Sequence, residues 1–289
     1  MGEVVGWERH GILGINAEPA IDCYEGDIIF TVFNPPMKLS LAVGLAFHRE
    51  LWISHSFLPG TYQTDTHESD MTLNIVSQKT GAELMESDRW PDLDLNDGEK
   101  NIGSKLFQVN FSGTKPVIGI HAGCSKNARS RRWPVESFAE LCYRLYSDHD
   151  VEIAVFGGPD DEETNEELRA LLKCNYVDVA NIGGFRETAA LMQRCQLMIT
   201  NDSGLMQASN AVKTPLVAVF GPTSSVKSFP NGPAERITVV EHKLPCAPCY
   251  NWDPSGPDRC PDHICLTEIT VGEVFDASSK LLASAKLLK

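Results

Sequence analysis

The feature that most constrains the fold is a regular alternation of short apolar runs with helical segments after residue 115. Strands alternating with helices at this spacing predict βαβ units and a mostly parallel sheet. Such sheets bind ligands beyond the carboxyl ends of their strands, so the turns at those ends matter most for function. The predicted strands are Pro116–His121, Val151–Phe156, Val177–Ala180, Gln196–Thr200, Pro215–Phe220 and Ile237–Val240. The predicted helices are Pro134–Tyr146, Asp160–Leu172, Phe185–Arg194 and Ser203–Val212.

The first third of the chain is less regular. A polar, aspartate-rich stretch from Trp90 to Thr114 is typical of an interdomain linker. The sequence therefore predicts a shortened N-terminal domain with its linker at 1–113, and a C-terminal domain at 114–289. In the first domain the predicted strands are Asp27–Phe33 and Leu51–Ser54, and the predicted helices are Lys38–His48 and Glu68–Gln78.

The composition argues against several classes of protein. The 289-residue chain is 42% hydrophobic and 22% charged, as ordinary globular proteins are. Its 39 acidic and 25 basic side chains give a formal charge of −14, which argues against a protein that binds nucleic acid or anionic membranes. The apolar stretch Leu39–Phe47 has nine residues, whereas a transmembrane helix needs about twenty. The start of the chain lacks a secretory signal pattern and the cysteines number nine, so we predict a reducing, cytoplasmic location.

The most informative turn is Thr200–Met206, which follows an apolar strand and opens a helix. Free backbone N–H groups and the helix dipole make such a helix start an anion-binding site. Gly204 would let a ligand approach the backbone closely. The alternative is that Asp202 or Ser203 only caps the helix, although capping and phosphate binding can coexist in one turn.

A second turn, His121–Lys126 with the loop that continues to Pro134, carries a local concentration of positive charge. Arginine pairs with phosphate bidentately, so basic side chains beyond a strand end predict a pocket for a phosphate-bearing ligand. A solvated loop is the alternative. Trp133 at the end of this loop is expected to pack in the core. The basic side chains are Lys126, Arg129, Arg131 and Arg132.

Two further turns are weaker signals. Gly157-Gly158 followed by Asp160 could bring an acidic group to ribose hydroxyls, or could be a tight turn before an acidic helix start. The turn Phe220–Ser225, which contains Thr223, could hold phosphate oxygens, or could be a simple β-turn. Neither GxGxxG nor GxxxxGK[ST] occurs, so the sequence gives little support to a dinucleotide dehydrogenase or a P-loop enzyme.

Four cysteines near the end have the spacing of metal ligands. Cys246 and Cys249 form a C-x2-C pair, and Cys260 and Cys265 form a looser C-x4-C pair. Four thiolates at such positions could hold a structural zinc ion. A loop of reduced cysteines is the alternative.

Three segments together resemble family-nine glycosyltransferases, the lipopolysaccharide heptosyltransferases. IGIHAGCSKNARSRRWPVESFAEL resembles the first strand, loop and helix of that family's nucleotide-binding domain. NIGGFRETAALMQRCQLMITNDSGLMQASNAVKTPLVAVFGPT resembles its most recognisable block, and LPCAPCYNWDPSGPDRCPDHICLTEITVGEV resembles its cysteine-containing tail. The resemblance extends from Pro116 to Phe275 and is thin before Trp90.

This resemblance implies a GT-B-like architecture, in which two Rossmann-like domains with parallel sheets face each other across a cleft, here with a truncated N-terminal domain on the acceptor side. It implies transfer of a heptose or related sugar from an ADP-sugar to a lipopolysaccharide core or similar glycan, with inversion and without a catalytic metal or required cofactor. The partners would be the nucleotide-sugar donor and the glycan acceptor, with a peripheral position at the inner membrane.

The resemblance also implies roles for particular residues. Arg131 matches a basic residue at the donor diphosphate, Asp160 an acidic residue at the ribose, and Lys38 a basic residue that faces the phosphorylated acceptor. The turn at Asp202 matches the family's Asp-Ser/Thr-Gly turn at the diphosphate, and Thr223 its Gly-Pro-Thr turn. The whole predicted donor-binding set is Gly123, Cys124, Arg131, Arg132, Asp160, Asp202, Ser203, Gly204, Gln207 and Thr223.

Three departures from the family pattern affect the predicted mechanism. Gln207 stands where the family usually has His, and Cys124 where it usually has Ser or Thr. The strand and Gly-Asp loop that supply the family's catalytic aspartate have no counterpart before Asp27, so the catalytic base is unknown. The nearby candidates are Asp65, His67, Glu68 and Asp70. The alternatives to a transferase are an inactive nucleotide-sugar-binding remnant and a zinc-stabilised interaction protein.

Overall fold

The structure, a computed structural model, describes residues 29–31, 51–53, 66–67, 69–70, 73–74, 77, 83–249, 260 and 262–287 of the chain. The chain divides into two compact units, Met1–Leu84 and Met85–Lys289. The segment 85–113, which we assigned to the N-terminal domain from the sequence, therefore groups with the second unit.

In the first unit, strands β1 (Ile29–Thr31) and β2 (Leu51–Ile53) pair in parallel. Both lie within the runs predicted to be strands. Residues 69–70, 73–74 and 77 are helical, inside the helix predicted for 68–78. The helix predicted at Lys38–His48 lies outside the described residues.

The second unit is built on one sheet of six parallel strands. These strands are β3 (Val117–His121), β4 (Glu152–Val155), β5 (Tyr176–Asp178), β6 (Leu197–Asn201), β7 (Leu216–Phe220) and β8 (Ile237–Glu241). Their spatial order is β5-β4-β3-β6-β7-β8, the strand order of a Rossmann fold, and the chain changes direction across the sheet between β3 and β6. The predicted α/β class and parallel sheet are confirmed.

Helices cover both faces of this sheet. They are α1 (Asp97–Asn110), α2 (Val135–His149), α3 (Glu162–Leu171), α4 (Phe185–Met192), α5 (Gly204–Ala211), α6 (Ser225–Ser228), α7 (Ile264–Thr267) and α8 (Val271–Leu287). Successive strand residues point to opposite faces. On one face Phe138 of α2 and Leu168 of α3 share an apolar cluster with Ile120. On the other, Leu191 of α4 packs in a second cluster with Met198.

Helix α1 lies in the polar stretch that we predicted to be a linker. Asn96 caps it, since its Oδ1 accepts from the Glu99 N–H at 3.0 Å while Glu99 Oε2 accepts from the Asn96 N–H at 2.8 Å. Gly103 brings α1 close to α4, because a Cβ there would lie 2.6 Å from the carbonyl oxygen of Ala190. The stretch is thus a packed element of the second unit rather than a linker.

The sequence reading also missed the C-terminal helices α7 and α8. Leu266 of α7 and Leu281 of α8 belong to the same apolar cluster as β3. Among the helices that the structure describes, none combines the length and the apolar character required to cross a bilayer.

Candidate functional site

The site lies where β3 and β6 end side by side. His121, the last residue of β3, is in register with Thr200 of β6. This is the point at which the strand order reverses, where open α/β sheets bind their ligands. The basic loop that follows β3 (residues 122–134) and the Asp202 turn after β6 therefore meet at one edge of the sheet.

Asp202 and Arg131 form the ion pair of this site. Arg131 Nη1 donates to Asp202 Oδ2 at 3.1 Å, and the two side chains are only 14% and 6% exposed. Arg131 ends a 3₁₀ segment, Lys126–Arg131, that the loop forms before α2. Two residues from separate sequence blocks, both predicted to bind the donor, are thus in direct contact.

Asn201, the last residue of β6, holds the basic loop in place, a role that the sequence did not predict. Its Oδ1 accepts from the Trp133 N–H at 2.9 Å, and its Nδ2 donates to the carbonyls of Ala122 at 2.7 Å and Gly123 at 3.1 Å. Asn201 is fully buried. It therefore fixes the basic loop against the end of β6. Trp133 is buried as predicted, and its Nε1–H donates to the Ile269 carbonyl at 3.0 Å.

Ser203 and Gly204 open helix α5. Ser203 is the N-cap, and its Oγ accepts from the Met206 N–H at 3.2 Å. A Cβ at Gly204 would have no other atom within 4 Å, so the first turn of α5 faces open space. Both readings of this turn thus fit together, because Ser203 caps the helix and the exposed helix start stays accessible to an anion.

Arg132 and Cys124 brace the loop rather than face outward. Arg132 donates to Thr164 Oγ1 at 2.6 Å and to the Cys124 carbonyl at 2.8 Å. The Cys124 thiol is buried and donates to the Asp202 carbonyl at 3.3 Å. Burial raises the pKa of Cys124 despite the opposing charge of Arg131. A neutral thiol is a poor nucleophile, which agrees with assigning it no catalytic role.

The acidic turn after β4 contains two different aspartates. Asp160 is exposed, whereas Asp161 is buried. Asp161 Oδ2 accepts from the Gly158 N–H at 2.9 Å and lies 3.2 Å from Nε2 of His121. A Cβ on Gly123 would overlap the Asp161 carboxylate, so a glycine is required there. The sequence pattern alone does not indicate that Asp161, next to the predicted Asp160, is held among the buried residues of the site.

The electrostatics of Asp161 follow from these contacts. Burial alone would raise its pKa, but the hydrogen bond and charge of His121, the Gly158 N–H and the Arg132 charge together lower it. Asp161 is therefore a carboxylate at neutral pH and accepts hydrogen bonds only.

The turn after β7 carries Thr223. Its Oγ1 is buried and has no hydrogen-bond partner within the described part of the chain. Gln207, on α5, donates from Nε2 to the Ser228 carbonyl at 3.0 Å and so ties α5 to α6. Lys227 of α6 is 2% exposed, a buried basic side chain near this turn that sequence reasoning missed.

The four cysteines of the tail are free thiols. Burial raises the pKa of Cys265 to about 11, and the charges of Cys249, Cys260 and Cys246 add to this shift. Within the described ranges, no group of three or more His, Cys, Asp or Glu side chains is arranged to hold a metal ion. The structure thus gives the zinc hypothesis no geometric support.

The predicted acceptor and catalytic residues belong to the first unit. Lys38, Asp65 and Glu68 lie outside the described residues. His67 is described, and its Nδ1 accepts from the Ser69 N–H at 3.0 Å and lies 2.7 Å from Ser69 Oγ. These contacts hold the ring of His67 in place within its own turn.

Comparison with known proteins identifies the family. Residues 58–254 match the sequence profile of glycosyltransferase family 9 (heptosyltransferase). The chain belongs to this family. It is 32% identical over 150 residues to lipopolysaccharide heptosyltransferase 2 of Escherichia coli K12, covering 50% of this chain and 42% of that protein. It is 30% identical over 179 residues to lipooligosaccharide heptosyltransferase 2 of Campylobacter jejuni serotype O:2, covering 60% of this chain and 53% of that protein. The chain thus matches about half the length of these relatives.

Two solved structures share the fold of this family-nine chain. E. coli ADP-heptose lipopolysaccharide heptosyltransferase II superposes with a TM-score of 0.63 at 22% identity, over 86% of this chain and 75% of that one. The family 9 glycosyltransferase of Veillonella parvula superposes with a TM-score of 0.68 at 21% identity, over 89% and 74%. The predicted GT-B-like fold class is therefore confirmed.

Proposed function

We propose that this family-nine glycosyltransferase transfers a heptose, or a closely related sugar, from an ADP-sugar to a lipopolysaccharide core or a similar glycan. The observation that carries the proposal is the ion pair between half-buried Arg131 and buried Asp202, beside the open first turn of α5. This arrangement lies at the switch point of a Rossmann-like sheet, where a nucleotide diphosphate would bind. The names of the relatives support the choice of sugar and acceptor.

The proposed chemistry follows from the charge that develops on the donor. Displacement of a nucleoside diphosphate leaves negative charge on the leaving group, which the Arg131 guanidinium and the backbone N–H groups of α5 would stabilise. Asp202 would hold Arg131 in place, because its carboxylate already accepts from Nη1. We assign no metal to this step, and the reaction would proceed with inversion at the anomeric carbon.

The remaining predicted donor residues would surround this centre. The Thr223 Oγ1, which lacks a hydrogen-bond partner among the described residues, would donate to a phosphate oxygen. Asp160, exposed in the turn after β4, would accept from the ribose hydroxyls. Gly123, Cys124 and Arg132 would shape the pocket floor, and Gln207 its side near α6.

We further propose that the N-terminal domain binds the acceptor through Lys38. The base that removes the proton of the acceptor hydroxyl would then come from Asp65, His67 or Glu68. A carboxylate or an imidazole suits this role because each can act as a general base near neutral pH.

The first test is calorimetric titration of the whole chain with ADP, with UDP and GDP as nucleotide controls. We expect selective binding of ADP, and a loss of at least about tenfold in affinity for Arg131→Ala and Asp202→Ala. Arg131→Ala removes the guanidinium that would pair with the diphosphate, and Asp202→Ala removes the carboxylate that holds this guanidinium in place. Arg129→Ala is the matched control, because Arg129 lies on the same loop but pairs with Glu163 at the exposed surface.

Two outcomes would redirect the proposal. Folded protein that binds none of the three nucleotides would contradict the transferase function. Selective ADP binding without transfer from ADP-heptose to a heptose-accepting core oligosaccharide would instead favour a nucleotide-sugar-binding protein without turnover. Unfolding of each variant must be measured in parallel, because removing one partner of a buried ion pair also lowers stability.

A further inference from the structure

A buried chain of three side chains lies beneath the candidate diphosphate site. His121 is 2% exposed, Asp161 7% and Ser203 6%. His121 Nε2 lies 3.2 Å from Asp161 Oδ2, and His121 Nδ1 lies 3.2 Å from Ser203 Oγ. The three residues come from the ends of β3, the turn after β4 and the turn after β6, so three separate strands of the sheet converge on one imidazole.

The hydrogen bonds of Asp161 and Ser203 fix the positions of the protons on His121. Asp161 is a carboxylate and offers no proton, so the hydrogen bond at Nε2 requires that His121 carries its proton there. When the imidazole is neutral, Nδ1 has no proton and can only accept. The Ser203 hydroxyl must then donate its single proton inward, to Nδ1.

The Ser203 proton that is donated to His121 is not available to a ligand. Ser203 Oγ already accepts from the Met206 N–H at 3.2 Å as the cap of α5. A hydroxyl has one proton, so with a neutral His121 it has none left for a ligand. The oxygens of an ionised diphosphate accept hydrogen bonds and do not donate them. A diphosphate at this turn therefore competes with His121 for the proton of Ser203.

Protonation of His121 removes the competition. A cationic imidazole donates from Nδ1 to Ser203 Oγ while Nε2 still donates to Asp161. The Ser203 oxygen then accepts from Nδ1 and from the Met206 N–H, and its own proton can turn toward a phosphate oxygen. The positive charge of the imidazolium is also favourable, because it lies between the Asp161 carboxylate and an anionic ligand.

We propose that His121 is a positioning residue for the donor diphosphate: it takes up a proton from solvent when the donor binds and thereby directs the Ser203 hydroxyl to a phosphate oxygen. This proposal rests on the proposed function, since it requires a diphosphate at the first turn of α5. The charged groups around the chain are Asp161 from the turn after β4, Asp202 from the turn after β6, and Arg131 and Arg132 from the basic loop.

The coupling can be measured directly by calorimetry. ADP is titrated into the whole chain at one pH in several buffers of different ionisation enthalpy, and the dependence of the observed heat on that enthalpy gives the number of protons taken up. We expect proton uptake by the wild type that is absent in His121→Gln. We also expect His121→Gln to bind ADP about tenfold more weakly, the size of one hydrogen bond to a charged group. Equal proton uptake in both proteins would overturn the coupling.

A double-mutant cycle separates positioning from a purely structural role. If His121 acts through Ser203, His121→Gln should weaken ADP binding far less in a Ser203→Ala background than in the wild type. Losses that simply multiply would overturn the assignment. Ser203→Thr is the conservative control, since it keeps the hydroxyl, and it should retain both affinity and proton uptake.

Two further measurements keep the tests decisive. If His121→Gln does not fold, Asp161→Asn replaces it, because it nearly preserves the shape of Asp161 while removing the negative charge that favours the imidazolium. It should reduce the proton uptake, and unchanged uptake would contradict the proposal. In the ligand-free protein, nitrogen-15 spectra of the His121 imidazole should show the proton on Nε2 and an accepting Nδ1. The opposite tautomer would contradict the proposed hydrogen bonds between His121, Asp161 and Ser203. Failure of the wild type to bind ADP would instead contradict the proposed function itself.

Discussion

At the scale of single residues, Asn201 shows how one side chain can hold both ends of a loop in place. Its amide makes three hydrogen bonds to backbone groups of the basic loop, and its side chain is fully buried. We expect Asn201→Leu to lower the free energy of unfolding by about 2–5 kcal/mol, because buried backbone groups lose their partners. Chemical denaturation measures this loss. Asn175→Ala is the control, since Asn175 is exposed and makes only a 3.4 Å contact with the Tyr146 hydroxyl; an equal loss in both variants would contradict the argument.

Asp161 gives a second prediction at this scale, on the acid stability of the protein. Its pKa is lower in the folded protein than in the unfolded chain. Such a group contributes stability that is fully present above its unfolded pKa, about 4, and that is lost as the pH falls through its folded pKa. We expect the free energy of unfolding to fall more steeply below about pH 4 in the wild type than in Asp161→Asn. Denaturation curves from pH 7 down to pH 3 provide the measurement, and parallel slopes would contradict the prediction.

The same residues show where sequence reasoning reached its limit. The Asp202 turn and the basic loop were predictable because a charge cluster and a glycine after a strand are local signals. The sequence did not indicate the role of Asp161, because which of two adjacent aspartates points into the site depends on the direction of the turn. That direction is set by contacts with Gly123 and His121, about forty residues away in sequence, where local patterns carry no information.

At the scale of elements, a substitution at the start of helix α5 should change ligand affinity without lowering stability. Gly204 is its first residue, and a Cβ there would meet no other atom within 4 Å. Alanine favours a helix by up to about 1 kcal/mol over glycine, so Gly204→Ala should leave stability unchanged or slightly raised. The added methyl group would occupy the space that a diphosphate needs, so ADP affinity should fall by at least about tenfold. Calorimetry and thermal unfolding of the same sample test both halves; unchanged affinity would contradict a ligand at this turn.

The strands and central helices of the second unit were predictable from period and spacing, since the buried strands are continuous apolar runs between turn residues. Helix α1 was not, because its polar face and the surrounding aspartates dominate the composition. What defines it is the capping box at Asn96 and Glu99 and the close fit of Gly103 on α4. A capping box is visible in a sequence, and it was the signal that could have corrected the linker prediction.

At the scale of the whole molecule, the boundary between the two compact units determines which fragment of the chain can fold by itself. All the candidate donor residues from Gly123 to Thr223 lie in the unit Met85–Lys289. The sequence placed the domain boundary at 113, whereas the contacts place α1 with the sheet. Leu95, Leu106 and Phe111 of this segment pack in the apolar cluster that contains Leu191. A donor domain that begins at residue 85 therefore retains this apolar cluster, and one that begins at residue 114 lacks these three side chains.

Two truncated chains test this boundary. We expect residues 85–289 to fold and to bind ADP with the affinity of the whole chain, because the sheet, both apolar clusters and the candidate site are retained. Residues 114–289 lack α1 and expose the face of α4 that it covers, so we expect a loss of about 5 kcal/mol or more, from several apolar side chains at about 1.5–3 kcal/mol each. Denaturant unfolding and ADP titration of both chains give the comparison. Equal stability of the two would support the boundary at 113, and loss of ADP binding by folded 85–289 would show that the first unit contributes to the donor site.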